Sequence, residues 1–145
     1  MKVGFTCGCF DMMHAGHMRL LKDAKSVCDR LVVGVQRDPT IDRPETKNAP
    51  VQTYEERVEM VAGCKYIDDV MLYDTEKDLY DMLQDIDPDV RILGTDYIDK
   101  PFTGDDLQIE IYYHKRDHSW SSTDLRNRVF LAECQLRNVK WCACD

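Results

Sequence analysis

The sequence predicts an α/β fold: an open, mostly parallel five-stranded sheet with helices on both faces. Three observations carry that expectation. Short apolar runs of strand length alternate with stretches of helical period along the chain. Two of the runs, LVVGV and VRILG, are nearly continuous in apolar residues, as strands covered on both faces require. The length, 145 residues, suits one domain with a real core and leaves too little for a second. One domain over residues 1–145 is therefore expected, with its core at about 1–137 and a tail over 138–145.

The elements follow in order. KVGFT alternates and then breaks at glycine, which predicts a first strand. MRLLKDAKSVCDRL sets Leu20, Leu21, Ala24, Val27, Cys28 and Leu31 close to helical spacing, and LVVGV supplies the next strand. A strand, helix, strand unit joined this way has parallel strands and a right-handed crossover. Residues 37–50, RDPTIDRPETKNAP, hold three prolines and mixed charge and read as a loop over a functional or exposed face. Thr53 with Glu56 is a capping box that starts a helix through YEERVEMVAGC, stopped at Gly63. DDVMLY is a third strand, Thr75 with Asp78 starts a helix to Gln84, and Pro88 forbids helix before VRILG. QIEIYYH, residues 108–114, is the fifth strand, and Ser121 with Asp124 opens a last helix through STDLRNRVFLAECQLR.

Composition excludes several functions. With 43% hydrophobic and 32% charged residues the chain is ordinary globular material. MKVGFTCGCF lacks the apolar segment of a signal peptide and no run is long enough to span a bilayer, so a cytoplasmic protein is expected. Seven cysteines without a regular framework predict reduced thiols rather than bridges. A net charge of −8 argues against nucleic acid and anionic membrane as partners. The charge is uneven, however. Residues 114–140 carry Lys115, Arg116, Arg126, Arg128, Arg137 and Lys140 against Asp117, Asp124 and Glu133, so a polyanion, if bound, should meet this segment. A solvated basic helix face is the alternative.

The stretch TCGCFDMMHAGHMRLL puts two of the four histidines, His14 and His17, around Gly16 where the first strand gives way to a helix. In open α/β sheets that junction lies at the carboxyl ends of the strands, where ligands bind. Glycine gives backbone room at a helix start, whose unpaired N–H groups and dipole attract anions, and imidazoles add donors there. The stretch is neither a GxxxxGK[ST] loop nor a GxGxxG fingerprint. A phosphate site is predicted; a pair that merely caps the helix is the alternative.

GCFDMMHAGH resembles the HxGH motif of the cytidylyltransferase-like nucleotidyltransferases, with its Gly-x-Phe-Asp lead after the first strand. RDHSWSST, residues 116–123, is similar to the second motif of that group, and LGTDY, residues 93–97, resembles the Gly-x-Asp-aromatic segment between them. The small glycerol-3-phosphate cytidylyltransferases have all three in this order, so the resemblance runs from Val3 to about Arg128. It implies a Rossmann-like HxGH nucleotidyltransferase fold and direct transfer of CMP from CTP to a phosphorylated alcohol, glycerol-3-phosphate foremost, with release of pyrophosphate. By resemblance, His14, His17, Lys47 and Arg116 are the catalytic set. Gly8, Cys9, Phe10, Gly94, Asp96, Tyr97, Ser121, Ser122 and Thr123 join His14, His17 and Arg116 around the nucleotide. Lys47, in the Pro-rich loop, and Arg57, in a Y-E-x-R pattern, are implied at the acceptor phosphate; an ion pair of Arg57 with Glu55 or Glu59 is the alternative. Mg²⁺ is the expected cofactor, held mainly by the triphosphate and water. Asp11 either assists that ion indirectly or fixes the turn. Cys9 departs from the Thr, Val or Ser more usual in the family. A homodimer is expected by resemblance, with VEMVAGC or the strand after it as a face.

Three rival readings stand beside this one. An ATP-dependent adenylyltransferase of the same superfamily, of the FAD, ADP-heptose or coenzyme A type, would carry the same motifs. A non-catalytic nucleotide-binding protein would hold the ligand without turnover. Cys7, Cys9, His14 and His17 have the chemical types of a zinc module, although structural zinc sites use C-x2-4-C pairs rather than the C-x-C spacing present here. WCACD at the carboxyl end reads as a frayed tail rather than a metal or disulfide site.

Overall fold

The computed structural model describes residues 1–138, so Lys140, Trp141, Cys142 and Cys144 lie outside the described residues. Ten elements follow one another: β1 (Val3–Gly8), α1 (Ala15–Ser26), β2 (Arg30–Gln36), α2 (Tyr54–Ala62), β3 (Asp69–Tyr73), α3 (Glu76–Ile86), β4 (Val90–Gly94), a single 3₁₀ turn at Thr95–Tyr97, β5 (Glu110–His114) and α4 (Ser122–Leu136). The five strands are parallel in the order β3-β2-β1-β4-β5. The chain therefore winds outward from β1 to β3 and returns to lay β4 on the other side of β1. The order reverses between β1 and β4, and the crevice outside their carboxyl ends is where the first helix begins.

Alternation along the strands builds a core on each face. Leu31, Val33, Val35, Val90 and Ile92 face Leu21 and Ala24 of α1 and Val61 of α2. Phe5 and Val32 face the other way, onto Leu79, Met82 and Leu83 of α3. Fully buried Leu, Val and Phe side chains each stabilise the fold by about 1.5–3 kcal/mol. Helix starts match their sequence signals: Thr53 Oγ1 accepts from Glu56 N at 3.2 Å and Glu56 returns a carboxylate oxygen to Thr53 N at 2.9 Å. Thr75 and Asp78 repeat the reciprocal pair on α3, and Ser121 Oγ accepts from Asp124 N at 3.0 Å on α4. Helix α4 differs from the others, because none of its described residues is buried. It is attached through its first turns, and those contacts belong to the cleft described next. Among the described residues no helix is long and apolar enough to cross a membrane.

Candidate active site

The backbone between β1 and α1 is under local strain that its neighbours hold in place. Phe10 and Met12 adopt φ of +54° and +49°, the left-handed region that costs a non-glycine residue on the order of 1–2 kcal/mol. Between them, Asp11 is buried and accepts from Val51 N at 2.8 Å, Gln52 N at 2.9 Å and Arg126 Nη2 of α4 at 2.6 Å. Gln52 Oε1 accepts from Met12 N at 2.7 Å. Both carboxylate oxygens of Asp11 are thus engaged by protein donors, so of its two expected roles the structure supports fixing the turn. Arg57 corrects an expectation. It is 2% exposed and donates to the carbonyls of Gln36 at 2.6 Å, Cys9 at 3.0 Å and Gln52 at 3.3 Å, and to that of Arg37. Neither Glu55 nor Glu59 is its partner and it lines neither of the clefts described below; the buried guanidinium, with five donors, ties the strand ends to the loops instead.

On this support stand the two motif histidines. His14 caps α1: its Nδ1 accepts from Gly16 N at 3.0 Å, and its own backbone N–H donates to Nδ1 of His17 at 3.0 Å. A nitrogen that accepts a hydrogen bond carries no proton, so each neutral ring bears its hydrogen on Nε2. His14 Nε2 lies 3.3 Å from Ser122 Oγ at the start of α4, and the His14 and His17 rings are 4.0 Å apart. Both are held neutral at pH 7. Burial, then His14, push His17 down to about 4 against the opposing pull of Asp11. Burial first, then the Arg116 and His118 charges, lower His14. The helix start therefore presents uncharged N–H donors rather than cations. Gly16 is required by close approach, because a Cβ there would lie 2.8 Å from His14 Cε1 and 3.0 Å from His118 Cε1.

A cleft of about 260 Å³ opens here, lined by His14, Gly16 and His17 of the first motif and by Arg116, Ser121 and Ser122 of the second. Gly94 and the exposed Asp96 also line it; a Cβ at Gly94 would come within 2.5 Å of Asp96 Oδ1, so only glycine lets that carboxylate fold over it. Thr123 lies in the first turn of α4 but is exposed and outside the lining. Phe10 is buried, with its ring 5.4 Å from that of His17, and supports the imidazole from behind. A second cleft of about 420 Å³ adjoins the first at Leu20 and Gly94. Gly8, Cys9, Lys47 and Tyr97 line this second space. Lys47 is exposed on the Pro-rich loop and lines this cleft, whereas the histidines line the first. The Cys9 thiol is pushed up by burial, with Arg57 opposing, and stays protonated at neutral pH.

Several side chains outside the expected site set complete the walls. His118 and His114 line the first cleft, and Nε2 of each is buried without a hydrogen-bond partner. His118 Nδ1 accepts from Trp120 N at 3.2 Å, so its neutral ring is also an Nε2–H donor. The ring stacks on Trp120 at 4.9 Å, and Arg19 of α1 covers the opposite part of that wall, its guanidinium 4.8 Å from the Trp120 ring. In the second cleft Arg43 and Arg91 add cations, with Nε of both buried and unpartnered, while Arg43 meets Glu76 at 3.0 Å. His118 and Trp120 stand within RDHSWSST, whereas only charge type hints at Arg43 and Arg91 in the sequence. Among the described residues no three His, Cys, Asp or Glu side chains gather as a metal site.

Comparison with known proteins gives a concordant picture. Residues 5–128 match the family model described as cytidylyltransferase-like. The bifunctional protein HldE of Caulobacter vibrioides is 38% identical over 107 residues, covering 74% of this chain and 22% of that protein. HldE of Campylobacter concisus is 36% identical over 128 residues, 88% of this chain and 27% of the relative. The chain thus spans about a quarter of these relatives' length. The crystal structure of a lipopolysaccharide core biosynthesis protein from Thermoplasma volcanium superposes with a TM-score of 0.64 at 28% identity, covering 83% of this chain and 99% of the other. Pantoate-beta-alanine ligase from Francisella tularensis shares the fold, with a TM-score of 0.58 at 19% identity over 91% and 70% of the two chains.

Proposed function

We propose that this chain, which belongs to the cytidylyltransferase-like family, transfers AMP from ATP to a sugar phosphate and releases pyrophosphate. A nucleotidyltransferase of some kind follows from the family; the nucleotide and acceptor are the proposal. The HldE relatives favour the adenylyltransferase reading, of the ADP-heptose type, over CTP and glycerol-3-phosphate, which the motifs alone first suggested. One observation carries the reaction type: two neutral imidazoles with fixed Nε2–H tautomers line a single cleft with Ser121 and Ser122 at the start of α4, His14 Nε2 lying 3.3 Å from Ser122 Oγ. An acceptor phosphate oxygen attacks the α-phosphorus, the bond to the bridging β-phosphate oxygen breaks, and pyrophosphate departs with that electron pair. Such a step needs alignment and charge stabilisation rather than a protein nucleophile.

In this reading His14 and His17 donate to the α-phosphoryl oxygens, and their bonds strengthen as charge builds in the five-coordinate transition state. Arg116 balances the triphosphate charge, while Ser121, Ser122 and the first N–H groups of α4 hold the departing phosphates. Asp96 and Gly94 border the nucleoside. The second cleft takes the acceptor, with Lys47, Arg43 and Arg91 as its cations in place of Arg57. Mg²⁺ would reach the site on the triphosphate. Asp11 offers it no unoccupied oxygen, so no step is assigned to a protein-held ion. A homodimer remains part of the proposal by family resemblance. Pyrophosphate release measured for ATP and CTP against hexose and heptose 1-phosphates and glycerol-3-phosphate tests the assignment. ATP with a sugar 1-phosphate should be fastest; CTP with glycerol-3-phosphate in that place would restore the other reading, and no release with any pair would remove both.

A further inference from the structure

The first cleft holds two histidines outside the HxGH motif, and their hydrogen bonds give them opposite polarity. His118 accepts through Nδ1 and is a donor at Nε2. His114 is the reverse: its Nδ1 lies 2.7 Å from Asp23 Oδ2, and Tyr112 OH donates to the other oxygen of the same carboxylate at 2.9 Å. The ring therefore keeps its proton on Nδ1, shared with Asp23, and in the neutral form its Nε2 carries a lone pair. That nitrogen is buried and unpartnered in a side chain that lines the cleft. An unpaired buried acceptor is costly, and a partner normally accounts for it. Its place is specified by α1. Asp23 follows His17 by six residues along α1, with Leu20 between them, and so lies about 9 Å along the axis from His17. His114, held by Asp23, lines the same cleft as His17 and Leu20, and the axial offset of its anchor suits the far end of a nucleoside whose α-phosphate is at His17.

We propose that His114, oriented by Asp23, reads the nucleobase: Nε2 accepts a hydrogen bond from an exocyclic amino group, so the cleft selects amino bases over their keto counterparts. This rests on the transferase reading and goes beyond it, because neither the motifs nor the relatives name a base-reading side chain. An amino group supplies the missing donor, whereas a keto oxygen would set a second lone pair against the first and leave both unsatisfied. The penalty corresponds to a preference on the order of ten- to hundredfold. Asp23 acts as a positioning residue, since it fixes the tautomer without touching the base.

Calorimetric titration of the full 145-residue chain with the Mg²⁺ complexes of ATP, ITP, CTP, UTP and 2′-deoxy-ATP tests the idea without requiring the acceptor. ATP should bind at least tenfold more tightly than ITP, or CTP than UTP, whichever base the cleft accepts. His114→Phe should bring that ratio towards unity. His114→Gln, which offers both an amide N–H and a carbonyl in a similar volume, should do the same. Asp23→Asn should also reduce the ratio, while inorganic tripolyphosphate binds all variants as it binds the parent. Equal affinity for amino and keto nucleotides in the parent overturns this inference and leaves the transferase reading intact. So does a preference for ATP over 2′-deoxy-ATP with none over ITP, which would assign His114 to the ribose. Loss of tripolyphosphate binding in the His114 variants would place the ring at the phosphates and overturn it as well. Failure of every nucleotide to bind would defeat the transferase reading and this one together.

Discussion

Replacing Gly16 by alanine should separate stability from catalysis. The new methyl carbon would lie 2.8 Å from Cε1 and 3.0 Å from Nδ1 of His14, and 3.0 Å from Cε1 of His118. Helix backbone is compatible with alanine at this site, and the crowding atoms belong to side chains that can rotate away. The fold should survive while His14 swings out. Alanine is favoured over glycine within a helix by up to about 1 kcal/mol, and losing the Gly16 N–H to Nδ1 cap costs about 1 kcal/mol, so the melting temperature should barely move. Catalysis loses a donor aimed at the transition state, a change worth about 10²- to 10³-fold in kcat. The assay is pyrophosphate release at saturating nucleotide and acceptor, run beside a thermal melt. A folded Gly16→Ala protein with kcat within a few-fold of the parent would refute the assignment of His14 as a donor positioned by this close approach.

Three further outcomes are expected. Because His17 is held near 4 in the fold and near 6.5 in the unfolded chain, the unfolded state takes up the extra proton between those values, and stability falls as pH drops through that window. The total is roughly 3 kcal/mol; urea denaturation should show a shallower decline for His17→Gln, and identical slopes would refute the buried neutral ring. Asp11→Asn should cost roughly 2–3 kcal/mol in the same denaturation measurement, because Val51, Gln52 and Arg126 lose a charged acceptor. An unchanged stability with a raised Mg²⁺ requirement would instead make Asp11 a metal residue. Arg57→Lys, which cannot serve four carbonyls at once, should lower the melting temperature without raising KM for the acceptor, and the opposite pattern would return Arg57 to the substrate.

The architecture was legible because its signals are local. Strand runs, three side-chain helix caps and Pro88 each act within a few residues, and the observed elements fall on them. The motif histidines were legible for the same reason, since Gly16 and His17 need only the helix that follows them. Misreadings came where the partner is remote. YEER placed Arg57 near a phosphate by pattern, but its carbonyl partners Cys9 and Gln36 lie 48 and 21 residues away. Asp11 is ambiguous in the sequence because Arg126, which binds it, is 115 residues distant.

From its amino-acid order alone this chain could be assigned a parallel α/β sheet, an anion-attracting helix start and a family of reactions. The sheet and the helix start depend on periodicity, capping and residue type, which neighbouring positions specify, whereas the family of reactions came from the resemblance of the motifs. What required the folded chain was the protonation and partnership of the side chains: that His14 and His17 donate through Nε2, that His114 is turned by Asp23, and that Arg57 is walled in by carbonyls. A tautomer or a buried charge is set by whatever atom lies 3 Å away, and the sheet order β3-β2-β1-β4-β5 chooses that atom from segments far apart in the chain.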